Sequence, residues 1–162
     1  MSQIENNSIV IGIGNETRGD DAIGLLVAKH LSDSASSCLQ VSTHSGEAFS
    51  LIETWQGFDK VYVVDAMCSG QPPGAITQFR ASDEPLPASL FEVSTHGFGV
   101  PQAIELARAL GKLPDSLVVI GVEGLCFDAG AKVSAQVEQA IPAVIDAILL
   151  EIRNSTEEKI NA

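Results

Sequence analysis

Three aspartates and one histidine are the side chains of this sequence best suited to chemistry. Asp20 and Asp21 close the run Gly12-Ile-Gly-Asn-Glu-Thr-Arg-Gly-Asp-Asp21, Asp65 closes Lys60-Val-Tyr-Val-Val-Asp65, and His96 sits in Ser94-Thr-His-Gly-Phe-Gly. Two carboxylates and an imidazole can bind a divalent transition metal and leave positions open for water or a substrate group, whereas a closed structural zinc site uses four protein ligands. Asp21, Asp65 and His96 are therefore the candidate metal-reading and catalytic residues. Each also has an ordinary structural role open to it. An aspartate at a helix start caps free backbone amides and complements the helix dipole. A strand-end aspartate can hold the loop that follows it, here residues 66–70, and a lone turn histidine is more often a surface or capping residue than a ligand. One cap needs one carboxylate, so if Asp20 caps the helix, Asp21 is left to face the crevice.

Other chemistries fit less well. The glycines after the first strand invite a phosphate-cradling reading, but Thr17 stands where the third dinucleotide glycine belongs, and no phosphate-loop Lys-Ser or Lys-Thr occurs. Two adjacent aspartates would also repel a pyrophosphate. Gly-x-Ser-x-Gly and His-Glu-x-x-His are both absent. His44 follows the second strand and is either a substrate hydrogen-bonding group or a plain loop histidine. Cys68 and Cys126 also follow strands, but spare loop thiols need no function.

These side chains must be positioned by strands and helices that alternate along the chain. Residues 9–14, Ile-Val-Ile-Gly-Ile-Gly, form a short apolar run expected as a strand buried on both faces. Ile23, Leu26, Val27 and Leu31 recur at helical spacing over residues 22–31. A weaker strand over 39–42, a helix over 48–55 and a strand over 60–65 ending at Asp65 follow. Pro72-Pro-Gly then turns into the alternating segment 75–79, an antiparallel edge strand with one wet face. Residues 82–89 read as a surface loop, 100–110 as a helix with Pro101 in its first turn, and 117–122 as another buried strand. Residues 133–152 read as a long final helix that Pro142 kinks or divides. This order predicts a three-layer α/β/α sandwich with a mainly parallel sheet, as one domain over 1–152 followed by a frayed tail over 153–162. Open parallel sheets place ligand sites outside the carboxyl ends of their strands, which puts Asp21 and Asp65 at the same edge.

Composition narrows the partners. Twenty-one acidic residues against nine basic ones give a formal charge of −12, which disfavours nucleic acid and anionic membranes and favours a basic protein or peptide. Polar residues interrupt every apolar run well short of the roughly 18 residues of a membrane span. The first residues carry neither a basic start nor an apolar core, and the three cysteines are dispersed, so the cytoplasm is the expected compartment.

Over nearly its whole length the sequence resembles the nickel-iron hydrogenase maturation endopeptidases. The carriers are the motif from Gly12 through Asp21 to Gly24, Val63-Val-Asp-Ala, Thr95-His-Gly-Phe-Gly, and Gly121-Val-Glu-Gly with the later Val133-Ser-Ala-Gln-Val. The resemblance places the family's metal-contacting acid on Asp21, its strand-end aspartate on Asp65 and its histidine on His96. It implies an α/β/α fold and a nickel-dependent endopeptidase that removes the carboxy-terminal extension of a hydrogenase large-subunit precursor, with nickel supplied by that precursor rather than permanently bound. A non-catalytic nickel-sensing or docking protein for the same precursor, and a related peptidase with another substrate, are the alternatives. Two positions depart from the family pattern. Some members carry an aspartate after the second strand, where this chain reads Ser42-Thr-His-Ser-Gly, and Ala22 replaces a glycine that often follows the Asp-Asp pair. Alanine favours helix, so the second change is expected to be harmless.

Overall fold

A computed structural model describes residues 7–34, 39–91 and 99–161. Strands β1 (Ser8–Ile13), β2 (Gln40–His44), β3 (Lys60–Met67), β4 (Ile76–Arg80) and β5 (Ser116–Glu123) form one sheet in the order β2-β1-β3-β5-β4. All neighbouring pairs are parallel except β4, which runs antiparallel to β5. The edge position of β4 accounts for its alternating sequence: its Gln78 and Arg80 are exposed, whereas β3 is buried at every residue.

Helices α1 (Ile23–Ser34), α2 (Ala48–Trp55), α3 (Val100–Leu110), α4 (Ala135–Gln139) and α5 (Ile141–Ile160) cover both faces. One core joins Ile9, Ile11, Val61, Val63, Leu117 and Val119 of the sheet to α2 and α3. The other joins Val10, Tyr62, Val64, Val118 and Ile120 to α1, α4 and α5. Successive side chains of a strand point to opposite faces, so a strand buried on both must be apolar at nearly every position. The mainly parallel α/β/α sandwich expected from the sequence is the observed architecture.

Several boundaries differ from the sequence expectation. β3 continues two residues beyond Asp65, which pairs with Gly121 inside the ladder rather than ending the strand. The surface loop at 82–89 leads into a short 3-10 turn, Ala88–Phe91, that buries Phe91. Pro142 divides the final helical stretch: α4 stops at Gln139, and the proline sits in the first turn of α5, where its missing N–H costs nothing. The frayed tail expected from residue 153 is instead helix as far as Ile160. Ile152 is half-buried against the core, and Lys60 on β3 donates through Nζ to the Ser155 carbonyl at 2.7 Å, which ties the last turns to the sheet.

Candidate metal-reading site at the carboxyl edge

Chain order reverses between β1 and β3, since β1 is followed outward by β2 and β3 by β5. Two neighbouring strands whose connections leave in opposite directions open a crevice at their carboxyl ends. Asp21 and Asp65 stand on these two strands' side of the molecule. Asp21 lies in a 3-10 turn, Gly19–Ala22, that leads directly into α1. The turn is drawn tightly against the sheet by two glycines. A Cβ on Gly24 would lie 2.1 Å from the Ile13 carbonyl oxygen and 2.5 Å from that of Val64, and a Cβ on Gly14 would lie 2.0 Å from the Asp21 carbonyl oxygen. Any side chain at either position would therefore push the start of α1, and Asp21 with it, off β1 and β3.

Both carboxylates are nearly closed to water, with Asp21 6% and Asp65 7% exposed. Burial pushes the Asp21 carboxyl above the usual aspartate range, offset in part by the Arg18 charge and the Asn15 backbone amide. Asp65 is pushed well above it, first by burial and then by the negative charge of Asp21, with the Ala66 N–H, 2.9 Å from Oδ1, acting the other way. Asp65 thus senses the charge of Asp21. Two desolvated carboxylates disfavour ionising together, and a divalent cation between them would remove both penalties at once. The donor set fits a hard or borderline cation with further ligands to come from elsewhere. Among the described residues no third His, Cys, Asp or Glu completes a metal-holding group. His96 lies within residues 92–98, outside the described residues. On the near side of that stretch, the Leu90 carbonyl accepts from Cys68 N–H at 2.8 Å, just beyond the end of β3.

Asp20 does something other than cap α1, the role the sequence suggested for it. Its carboxylate reaches across to the loop after β5, accepting from Leu125 N–H at 2.7 Å, Cys126 N–H at 3.0 Å, Ser134 N–H at 2.6 Å and the Ser134 hydroxyl at 2.7 Å. Burial alone would raise this acid; the donors from Ser134, Cys126 and Leu125 outweigh it and hold the carboxyl below its usual range. Glu123 is a second clamp that sequence reasoning passed over. Buried at the end of β5, it accepts from the Ser69 N–H and hydroxyl and from Gly70 N–H, at 2.6 to 3.1 Å. The available signal was a lone carboxylate closing an apolar strand, the same signal that singled out Asp65.

His44 is committed to its own turn. Its Nδ1 accepts from Gly46 N–H at 2.8 Å, so the neutral ring carries its proton on Nε2, which faces the Ser50 hydroxyl at 2.8 Å. A ring donating to Ser50 cannot also take that hydroxyl's proton, which rules out a serine nucleophile here. Burial lowers the His44 pKa, partly countered by Glu47, in keeping with the neutral form. Both ring nitrogens being used, His44 shapes the start of α2, where Glu47 caps Phe49 and Ser50. Cys68 is exposed and Cys126 half-buried, and both are free thiols.

The profile of the hydrogenase maturation protease family matches residues 45–151. That stretch is well over half of the chain and carries Asp65 together with the whole of the Gly121-Val-Glu-Gly motif. The chain belongs to this family. Among its relatives are the hydrogenase expression/formation protein HupD of Thiocapsa roseopersicina, 30% identical over 146 residues, and the hydrogenase 2 maturation protease of Escherichia coli (strain K12), 26% identical over 157 residues. The first alignment covers 87% of this chain but only 65% of HupD, so the match spans about two thirds of that relative's length; the second covers 94% of both proteins. The fold of the family member is also that of solved maturation endopeptidases. HybD from E. coli superposes with a TM-score of 0.77 over 91% of this chain and 93% of its own, at 23% identity. HybD from Thermococcus kodakarensis gives 0.72 over 90% and 98%, also at 23% identity.

Proposed function

We propose that this member of the hydrogenase maturation protease family is an endopeptidase that removes the carboxy-terminal extension of a nickel-iron hydrogenase large-subunit precursor, and that nickel already held by the precursor is what it recognises. The observation that carries this reading is the Asp21–Asp65 pair: two buried carboxylates at the switch point of the sheet, with the charge of Asp21 adding to the burial that raises Asp65. A cation brought by the substrate relieves that conflict, so binding is selective for the loaded precursor. Soft thiolates of the precursor would hold the nickel, Asp21, Asp65 and His96 would be the residues of this chain that receive it, and the metal would there supply Lewis-acid polarisation of the scissile carbonyl. The chain's own part is to fix geometry: Asp20 and Glu123 hold the loops after β5 and β3, and Gly14 and Gly24 hold Asp21 against the sheet. Such fixed placement of reacting groups contributes much of the acceleration in any bond cleavage. The cytoplasm, where dispersed cysteines stay reduced, is the fitting compartment.

Purified protein is to be mixed with nickel-loaded and nickel-free precursor and the products weighed by mass spectrometry. Only loaded precursor is expected to be shortened, and Asp65→Asn and His96→Ala are each expected to slow that step by roughly 100-fold or more. Wild-type rates in Asp65→Asn would remove the aspartate pair from the reaction. Binding of loaded precursor without shortening would make the protein a docking factor instead.

A further inference from the structure

Between β5 and α4 runs one stretch of chain, residues 123–134, that grips the neighbours of both Asp21 and Asp65. At its start Glu123 accepts from the Ser69 N–H and hydroxyl and from Gly70 N–H, and Gly124 donates its N–H to the Met67 carbonyl at 3.0 Å. These partners sit on the end of β3 and the loop just beyond Asp65. The rest of the stretch grips the turn that carries Asp21. Asp20 N–H donates to the Cys126 carbonyl at 2.9 Å, Gly19 N–H to that of Ala131 at 3.2 Å, and Gly130 N–H to that of Thr17 at 2.7 Å. The Asp20 carboxylate adds its bonds from Leu125, Cys126 and Ser134.

Close packing joins the two grips. A Cβ on Gly124 would lie 3.1 Å from the Asp20 Cβ and 2.4 Å from the Phe127 ring, so the backbone that reaches β3 also lies directly against Asp20. Ser134 shows which contact the sequence favours. It stands at the N-cap of α4, where a serine ordinarily accepts from the helix's own amides, yet it makes no such bond and donates its hydroxyl to Asp20 at 2.7 Å. Asp20 and Glu123 are 0% and 2% exposed, so both sets of bonds are shielded from competing water. Gly14 and Gly24 fix how near α1 comes to the sheet; residues 123–134 tie the turn before α1 to the far end of β3.

We propose that residues 123–134 form a brace between the two acids, and that Asp20 and Glu123 are positioning residues which act through it as one unit to set the separation of Asp21 and Asp65. Its consequence for cleavage rests on the protease reading above, whereas the mechanical coupling does not. Positioning of this kind matters because a metal-binding or reacting group displaced by about 1 Å loses on the order of 100-fold in rate.

Asp20→Asn, Glu123→Gln and the double variant test this, with melting temperatures confirming that each folds; Ser134→Ala, which removes a single hydroxyl, repeats the test in its mildest form. Amide hydrogen exchange of the free protein comes first. Asp20→Asn and Ser134→Ala are expected to speed exchange at Ser69 and Gly70, and Glu123→Gln at Leu125 and Ser134, by about tenfold, while the Lys112 amide after α3 keeps its wild-type rate. Acceleration confined to each carboxylate's own donors, or shared equally by Lys112, would overturn the brace. Cleavage of nickel-loaded precursor reads the consequence. Each single variant should lower kcat about 30-fold with KM within about twofold, and the double variant should be no slower than the slower single, because a brace cut at one end is already slack. Losses that multiply would show two independent clamps and overturn it as well. A wild-type protein that never shortens the precursor overturns the protease reading alone, and the exchange pattern still decides the brace.

Discussion

Asp20 and Asp21 are adjacent in sequence, both buried, and opposite in environment. Asp20 receives four hydrogen bonds from the loop after β5 and is held in its charged form. Asp21 has the Asn15 amide and the Arg18 charge to offset its burial, remains raised, and raises Asp65 in turn. Hydrogen bonding differs likewise between Glu123, which accepts from the Ser69 and Gly70 amides, and Asp65, which accepts from Ala66 beside it. A buried carboxylate with its full set of donors holds the fold together. Among the described residues, Asp65 accepts only from its neighbour Ala66, and burial keeps its carboxyl raised.

Breaking the contrast on the satisfied side should give the largest effect. Asp20→Ala strands three backbone amides and a hydroxyl of the 125–134 loop. Charge-assisted hydrogen bonds of this kind are worth about 1.5–3 kcal/mol each and are not additive, so a total loss on the order of 3 kcal/mol is expected in denaturant melts. A loss below about 1 kcal/mol would mean that water replaces the carboxylate and that the clamp is weak.

The unsatisfied side should respond with the opposite sign and a smaller size. Asp65 has a folded-state pKa raised above its usual 3.8. The folded protein therefore holds that proton more tightly than the unfolded chain, and stability is fully present below pH 3.8 and lost as pH rises through the raised value. Asp65→Asn does not titrate and escapes that loss. It should melt higher than wild type at pH 7, with the two curves converging toward pH 4, while cleavage is lost. Equal or lower melting at pH 7 would show that Asp65 is satisfied by partners of its own.

The sheet and its covering helices were legible because each strand buried on both faces must be a run of apolar residues, as Ile9–Ile13 and Val61–Val64 are. Asp21 and Asp65 drew attention as carboxylates at the ends of such runs, but Asp20 and Glu123 carry the same signal and serve as loop clamps. The role of Asp20 was not legible, because its donors lie 105 to 114 residues away on a loop without periodicity. The helical end of the chain was missed on similar grounds, since its tie to the sheet comes from Lys60, 95 residues earlier. Local pattern reports what a segment is and stays silent on distant partners. The comparison with known relatives supplied the family that such partners serve.

The account rests on Asp21 and Asp65 forming a single electrostatic site. The direct measurement is the titration of the Asp65 side-chain carboxyl by carbon-detected NMR in wild-type protein and in Asp21→Asn. Removing the Asp21 charge should shift the Asp65 midpoint downward while leaving it above that of a free aspartate, because burial remains. An Asp65 midpoint that does not move would place the two carboxylates in separate sites and contradict the account.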